Sequence, residues 1–231
     1  MHPRFRFVVP LILALSCGLS SSPVAADLVT QTGVGGAVPD NTAAGATFDV
    51  TISDTRTILP AGNNVTVTLE NFQHTFLTDL TLKLEHVGFG PQQLAFDRVL
   101  KTGNLGSGID FNGTYSFNSG AATRLRDVAD TFTSPIPSGT YQTTLADDTT
   151  NSNLSSFWNG QTAAGTWRLF ISDRGISDIT NTTWTWRVDV QVVPEPSAFP
   201  LLSLVGVGVA AIVVWRKRGA SPFLGCRGSM G

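Results

Sequence analysis

The strongest constraint on the fold is a repeated alternation of apolar and polar residues over short segments in the middle of the chain. In residues 65–70, valines and a leucine alternate with threonines and a glutamate. The same period of two recurs in residues 80–85, 167–172 and 184–191. Successive side chains of a β-strand point to opposite faces of a sheet. Each segment therefore predicts a strand with one face on a core and the other towards water.

Turn-forming residues separate these segments. Glycine, proline and asparagine concentrate in residues 60–64, 88–91, 103–108 and 135–139, where they favour changes of chain direction. No stretch between them has a convincing helical period, so any helix should be short. Many short antiparallel strands joined by such turns predict an all-β fold, a jelly-roll-like antiparallel β-sandwich, for residues 27–192.

The first 26 residues have the order of a secretory signal peptide. Arg4 and Arg6 precede an apolar stretch at residues 7–15, and small residues lead up to Ala26. A charged, an apolar and a small-residue region in this order direct export and are then removed. We predict cleavage between Ala26 and Asp27.

The other end combines a short motif, an apolar stretch and a group of cations. The motif is Val193, Pro194, Glu195 and Pro196, the apolar stretch is residues 198–215, and the cations are Arg216, Lys217 and Arg218. We expect the apolar stretch to form a single transmembrane helix and the cations to stop transfer on the cytoplasmic side. Proline on both sides of Glu195 disfavours helix and regular strand, so the motif should be extended and suited to a protease or transpeptidase cleft.

This ending resembles the PEP-CTERM sorting signal of exopolysaccharide-producing Gram-negative bacteria. The resemblance implies an exported precursor, held transiently in the inner membrane, whose motif at residues 193–196 is recognised by a membrane exosortase. The domain would then reach the cell surface or the extracellular space, with exopolysaccharide as a further candidate partner. Residues 219–231 extend beyond the cations, whereas such signals usually end near them. The alternative is an ordinary single-pass anchor.

The segment between the two ends is acidic and lacks cysteine. Residues 27–192 hold 16 acidic and 9 basic side chains, a formal charge near −7. This charge argues against nucleic acid or anionic lipid as a partner. Cys17 and Cys226 both lie outside the segment. The exported domain therefore depends on its hydrophobic core rather than on a disulfide.

A second resemblance covers residues 38–190. The pieces that carry it are Val38-Pro39-Asp40-Asn41, Val65 to Leu69 leading into His74 to Leu80, Leu125 to Asp130, Pro137 to Tyr141, Phe157 to Gly160, Gly165 to Asp173, and Trp184-Thr185-Trp186. In this order they resemble the P domain (P/Homo B domain) of subtilisin-type proprotein convertases. The family fold is a jelly-roll β-sandwich. In those enzymes the P domain supports the protease while the chemistry belongs to another domain.

Individual residues in these pieces have structural as well as functional interpretations. His74 and Asp79 have the residue types of two members of a catalytic set, but we interpret them as a structural hydrogen-bond pair. Trp158 precedes Asn159 and Gly160 and either stacks on a sugar ring from the surface or packs in the core. Gly165 and Trp167 indicate a turn that leads into a core tryptophan.

The remaining chemistry points away from catalysis. The chain contains no Gly-x-Ser-x-Gly elbow, no His-Glu-x-x-His helix and no phosphate-binding Gly-rich loop. We therefore predict that it is not an enzyme and requires no cofactor. Calcium is a candidate ligand because Asp127 with Asp130, and Asp147 with Asp148, place hard oxygen donors in loop-like sequence. The resemblance strengthens this candidate, since some P domains bind calcium. Ordinary solvated acids are the alternative.

These observations predict a non-catalytic exported surface or matrix protein. Its parts are a signal peptide at 1–26, a P-domain-like sandwich at 27–192, a sorting signal at 193–218 and a short tail at 219–231. The second interpretation is a calcium-stabilised module that binds polysaccharide or a partner protease. The third is a protease-related enzyme.

Overall fold

The computed structural model describes residues 26–99, 108–131, 134–146 and 150–195, and the architecture below refers to these ranges. They fold into an all-β sandwich of two sheets, as the alternation predicts. The chain also forms one 3₁₀ turn, Leu77–Asp79, and one short helix, α1, Leu125–Thr131. The strands in chain order are β1 Asp27–Val34, β2 Thr42–Ile52, β3 Val65–His74, β4 Leu80–His86, β5 Gln93–Asp97, β6 Phe111–Phe117, β7 Gly139–Tyr141, β8 Gly165–Asp173 and β9 Thr185–Val192.

The first sheet has the order β1-β9-β3-β6-β7, and the second has the order β2-β8-β4-β5. Every strand pair is antiparallel except β6 with β7, which is parallel. Neighbours in the sheets are mostly distant in sequence, so long-range pairing holds the sandwich together. The two central strands β8 and β9 come from the last quarter of the domain and pair with strands from its first half.

The predicted inward faces are buried. Val65, Val67 and Leu69 on β3 are at most 1% exposed. The alternating residues of β4, β8 and β9 are buried in the same way. An apolar side chain that is fully removed from water contributes about 1.5–3 kcal/mol to folding. These rows are therefore the main source of stability in a domain that has no disulfide.

Four tryptophans fill the space between the sheets. Trp158, Trp167, Trp184 and Trp186 are each at most 1% exposed. Trp158 meets Trp167 edge to face with ring centroids 5.1 Å apart. Trp158 is thus a core residue, and the surface-stacking interpretation is wrong. Gly165 adopts φ +141°, and a Cβ there would lie 2.6 Å from His86 Nε2. This close approach to His86 explains the glycine that starts β8.

Several sequence predictions fall on residues that the structure does not describe. These are the signal peptide up to residue 25, Pro196, the apolar stretch 198–215, the cations Arg216, Lys217 and Arg218, and the calcium candidates Asp147 and Asp148. Among the described residues, no helix has the length and apolar character needed to cross a membrane.

Candidate functional site

The two ends of the sandwich meet at one edge. Asp27, the first residue of β1, pairs directly with Val192, the last residue of β9. Arg56 reinforces the edge by binding the carboxylates of Asp27 and Asp54. The predicted cleavage position and the start of the sorting motif are therefore neighbours in space. The chain enters and leaves the sandwich at the same place.

The sorting motif begins one residue after β9 without an intervening linker. Val193 N–H donates a 2.8 Å hydrogen bond to Thr57 O, and its side chain points outward with 41% exposure. Pro194 and Glu195 follow without regular secondary structure, and Glu195 is exposed. The three described residues of the motif thus have no regular secondary structure and lie outside the core.

At the end of β3 and β8, five side chains form what we call the acidic cluster: His74, Asp40, Asp79, Asp173 and Asp178. Strand pairing brings them together, because Leu80 of β4 and Thr42 of β2 both pair with Asp173. The segment after β8 then folds back, and Thr180 forms a bridge with His74 at the end of β3. One ligand-type atom each from His74, Asp173 and Asp178 lie within 4.8 Å of one another.

Two members of the acidic cluster are almost completely buried. His74 is 2% exposed and Asp173 1% exposed. Burial lowers the pKa of His74 to about 4, against the weaker opposing pull of Asp110 and Asp40. Burial also raises the pKa of Asp173, with Asp40 and Asp79 adding to the rise. The imidazole is therefore neutral at pH 7.

His74 does not pair with Asp79, so that prediction is wrong. In the described part of the chain its Nδ1 shares a 2.8 Å hydrogen bond with Thr180 Oγ1, and its Nε2 faces Asp173 Oδ2 at 4.0 Å. Asp79 instead lies beside Asp178 over Gly175, where a Cβ would overlap both carboxylates. The sequence separation of five residues between His74 and Asp79 suggested a local pair. The 3₁₀ turn at Leu77–Asp79 places the Asp79 side chain beside Asp178 instead.

The calcium candidates in the described part of the chain lie in a different region. Asp127 and Asp130 are on α1, so the expectation of a loop is wrong at this position. Asp127 and Asp130 are a candidate pair in the sequence because they lie close together in it. The members of the acidic cluster are up to 138 positions apart, as Asp40 and Asp178 are. A signal for the cluster was present, because four of its members fall within the pieces that resemble a P domain: Asp40, His74, Asp79 and Asp173.

A surface pocket of about 350 Å³ lies next to the cluster. His74 and Thr75 belong to its wall, together with Asp110, Asn112 and Ile179. Thr75 Oγ1 also approaches Asp178 Oδ1 at 3.4 Å. Of the acidic cluster, His74 at the end of β3 is the member that lines this pocket.

Comparisons with known proteins identify the C-terminal segment. No curated protein matches the chain. Two solved structures are similar over most of the domain: the serine protease of Aeromonas sobria (16% identity, 75% of this chain, TM-score 0.39) and the complex of that protease with its chaperone (14%, 73%, 0.39). This chain spans only 27–28% of the length of those chains. Residues 192–218 match the family model described as a PEP-CTERM protein-sorting motif. The chain thus carries this sorting motif directly after β9.

Proposed function

We propose that this protein is an exported, non-catalytic β-sandwich module that a membrane exosortase processes at residues 193–196. The observation that carries the proposal is the sorting-motif match over residues 192–218. Such a motif supports an exported, membrane-anchored precursor that is then processed. The pieces in residues 38–190 that resemble a P domain support a module similar to domains that accompany proteases.

The edge where the chain enters and leaves suits this processing. Asp27 and Val192 are paired, so both predicted membrane segments would emerge from one side of the sandwich. The rest of the domain would then face away from the membrane. Because no linker separates β9 from the motif, the processing enzyme would reach Glu195 only if the sandwich edge lies close to the membrane surface.

The acidic cluster does not support an alternative as a hydrolase. Thr180, His74 and Asp173 have the residue types of a nucleophile, a base and an orienting acid. However, Asp173 Oδ2 is 4.0 Å from the imidazole, beyond hydrogen-bond distance. A base with a pKa of about 4 is also a weak proton acceptor at neutral pH. We therefore assign the cluster no catalytic role.

Processing is tested by replacing the motif glutamate. The Glu195→Gln variant should keep its C-terminal tail and stay in the membrane fraction of the native host, while the wild-type chain is shortened. Glu85→Gln on β4 is the matched control and should be processed normally. Equal shortening of the Glu195→Gln chain and the wild-type chain would contradict the proposal.

The second candidate function is a binding module for polysaccharide or for a partner protease, and the pocket beside His74 favours it. The exposed Asn112 side chain belongs to the pocket wall. If the pocket binds sugar, a column of the host's own exopolysaccharide should retain the full chain, and Asn112→Ala should elute earlier. Identical elution of both proteins in the void volume would exclude this candidate.

A further inference from the structure

The acidic cluster brings four aspartates together beside one histidine. Asp173 is 1% exposed, and one carboxylate oxygen each of Asp173 and Asp178 lies within 4.8 Å of the other and of a ring nitrogen of His74. Among the described residues, Arg98 forms an ion pair with the cluster, with its Nη2 4.0 Å from Asp79 Oδ1 and its side chain 43% exposed. Burying a charged carboxylate such as that of Asp173 is costly unless it is paired or coordinates a metal.

A second observation comes from the imidazole of His74. Its Nε2 is buried, has no hydrogen-bond partner among the residues that the structure describes, and points at Asp173. A neutral imidazole has one N–H. If that N–H is on Nδ1 and donates to Thr180 Oγ1, then Nε2 presents a lone pair to a carboxylate, which is unfavourable unless a cation lies between them. Metal-binding histidines commonly donate their other N–H to an oxygen in this way.

Asp178 completes the arrangement from the segment after β8. Its Oδ2 is also buried, without a hydrogen-bond partner in the described ranges. It converges with Asp79 on the space that a side chain at Gly175 would fill. The 4.0 Å between His74 Nε2 and Asp173 Oδ2 is a gap that one ion with ligand bonds of about 2.0–2.2 Å spans. We propose that His74 Nε2, Asp173 and Asp178 bind one divalent transition-metal cation, with Asp79 beside it.

The donor set selects the class of cation. Calcium takes only oxygen ligands, usually six to eight of them. An imidazole nitrogen with two carboxylates instead suits zinc or manganese, which accept mixed nitrogen and oxygen ligands. The bound ion would cross-link the end of β3, the end of β8 and the returning segment at residues 174–184. Its role is therefore structural: it fixes the wall of the pocket and contributes no reaction step.

The test is metal binding by the full chain, purified in mild detergent and stripped with EDTA. Zinc, manganese and calcium chlorides are titrated separately at pH 7.5 by calorimetry, and thermal unfolding is followed by tryptophan fluorescence. The wild type should bind one zinc or manganese ion and melt at a higher temperature with it, because a ligand of the folded state stabilises that state. His74→Gln should weaken binding at least about tenfold, and Thr180→Val about 10–100-fold.

Asp127→Asn is the matched control, since it removes an aspartate on α1 and should leave metal affinity unchanged. If His74→Gln does not fold by circular dichroism, Thr180→Val decides alone, because it changes no ligand. The proposal is overturned if no metal raises the melting temperature of the wild type. It is also overturned if Thr180→Val binds as tightly as the wild type, or if calcium alone binds and His74→Gln retains it.

Discussion

Replacing Asp178 with asparagine should stabilise the metal-free protein at alkaline pH, contrary to the usual effect of a substitution in a folded domain. The folded-state pKa of Asp178 is raised to about 7 from 3.8, first by burial and then by Asp173 and Asp79. Below pH 3.8 the side chain is protonated in both the folded and the unfolded states. As the pH rises towards 7, the unfolded chain releases this proton and the folded chain holds it, so stability falls.

The size of the effect follows from the pKa difference. About three pKa units at about 1.4 kcal/mol each set a ceiling near 4 kcal/mol at pH 8. Asp178 is only half-buried, and solvent screening reduces the value, so we expect a gain of about 1–3 kcal/mol for Asp178→Asn. Asparagine keeps the shape of the side chain and can donate a hydrogen bond to Asp79. The gain should disappear at pH 4.

Urea unfolding followed by tryptophan fluorescence measures the difference in unfolding free energy at pH 4, 6 and 8 on EDTA-stripped full chain in detergent. Asp127→Asn serves as the control and should differ from the wild type by less than about 0.5 kcal/mol. Saturating zinc should reverse the order, because Asp178→Asn lacks a ligand. The reasoning is refuted if Asp178→Asn is less stable than the wild type without metal at pH 8 by an amount independent of pH.

Three further outcomes follow from the structure. Phe72 is fully buried against Trp184, so Phe72→Ala should lower the unfolding free energy measured in urea by about 3–5 kcal/mol. Val34 is 77% exposed, so Val34→Ala should lower it by less than about 0.5 kcal/mol. Equal losses would mean that the core is misassigned. Burial lowers the pKa of His74 from 6.5 to about 4. Acidification from pH 6.5 to 4 should therefore destabilise the wild type relative to His74→Gln by up to about 3 kcal/mol. Parallel changes of unfolding free energy with pH in the two proteins would refute this. The purified chain should not hydrolyse peptide substrates, and hydrolysis that His74→Ala abolishes would establish the enzyme interpretation instead.

The alternation of side chains predicted the sandwich because a period of two is a local property of the sequence. The alternation alone predicts that Val65, Val67 and Leu69 face the core, and they are buried. The acidic cluster could not be predicted in the same way. It depends on the register in which β8 lies between β2 and β4, and on the return of residues 174–184 towards β3. Neighbouring acids such as Asp127 and Asp130 are recognisable as a candidate pair from the sequence. The residues that converge in space are not, because they are far apart in the sequence.

The sorting end shows the same division between local and long-range information. Proline on both sides of Glu195 predicts a motif without helix or regular strand, because proline restricts its own backbone and that of the preceding residue. Asp27 pairs with Val192, so both processing positions share one edge. This pairing follows only from the order of strands in the sheet. No local pattern carries this information.

The central claim, that the chain is sorted through its C-terminal motif, is tested most directly by determining the C-terminus of the mature protein from its native host. Intact-mass and peptide mass spectrometry give this terminus and the N-terminus in one measurement. If the chain is sorted in this way, the mature protein begins at Asp27 and ends at or next to residues 193–196. Peptides that continue through Trp215 to Gly231 in the mature protein would contradict it and leave an uncleaved anchor.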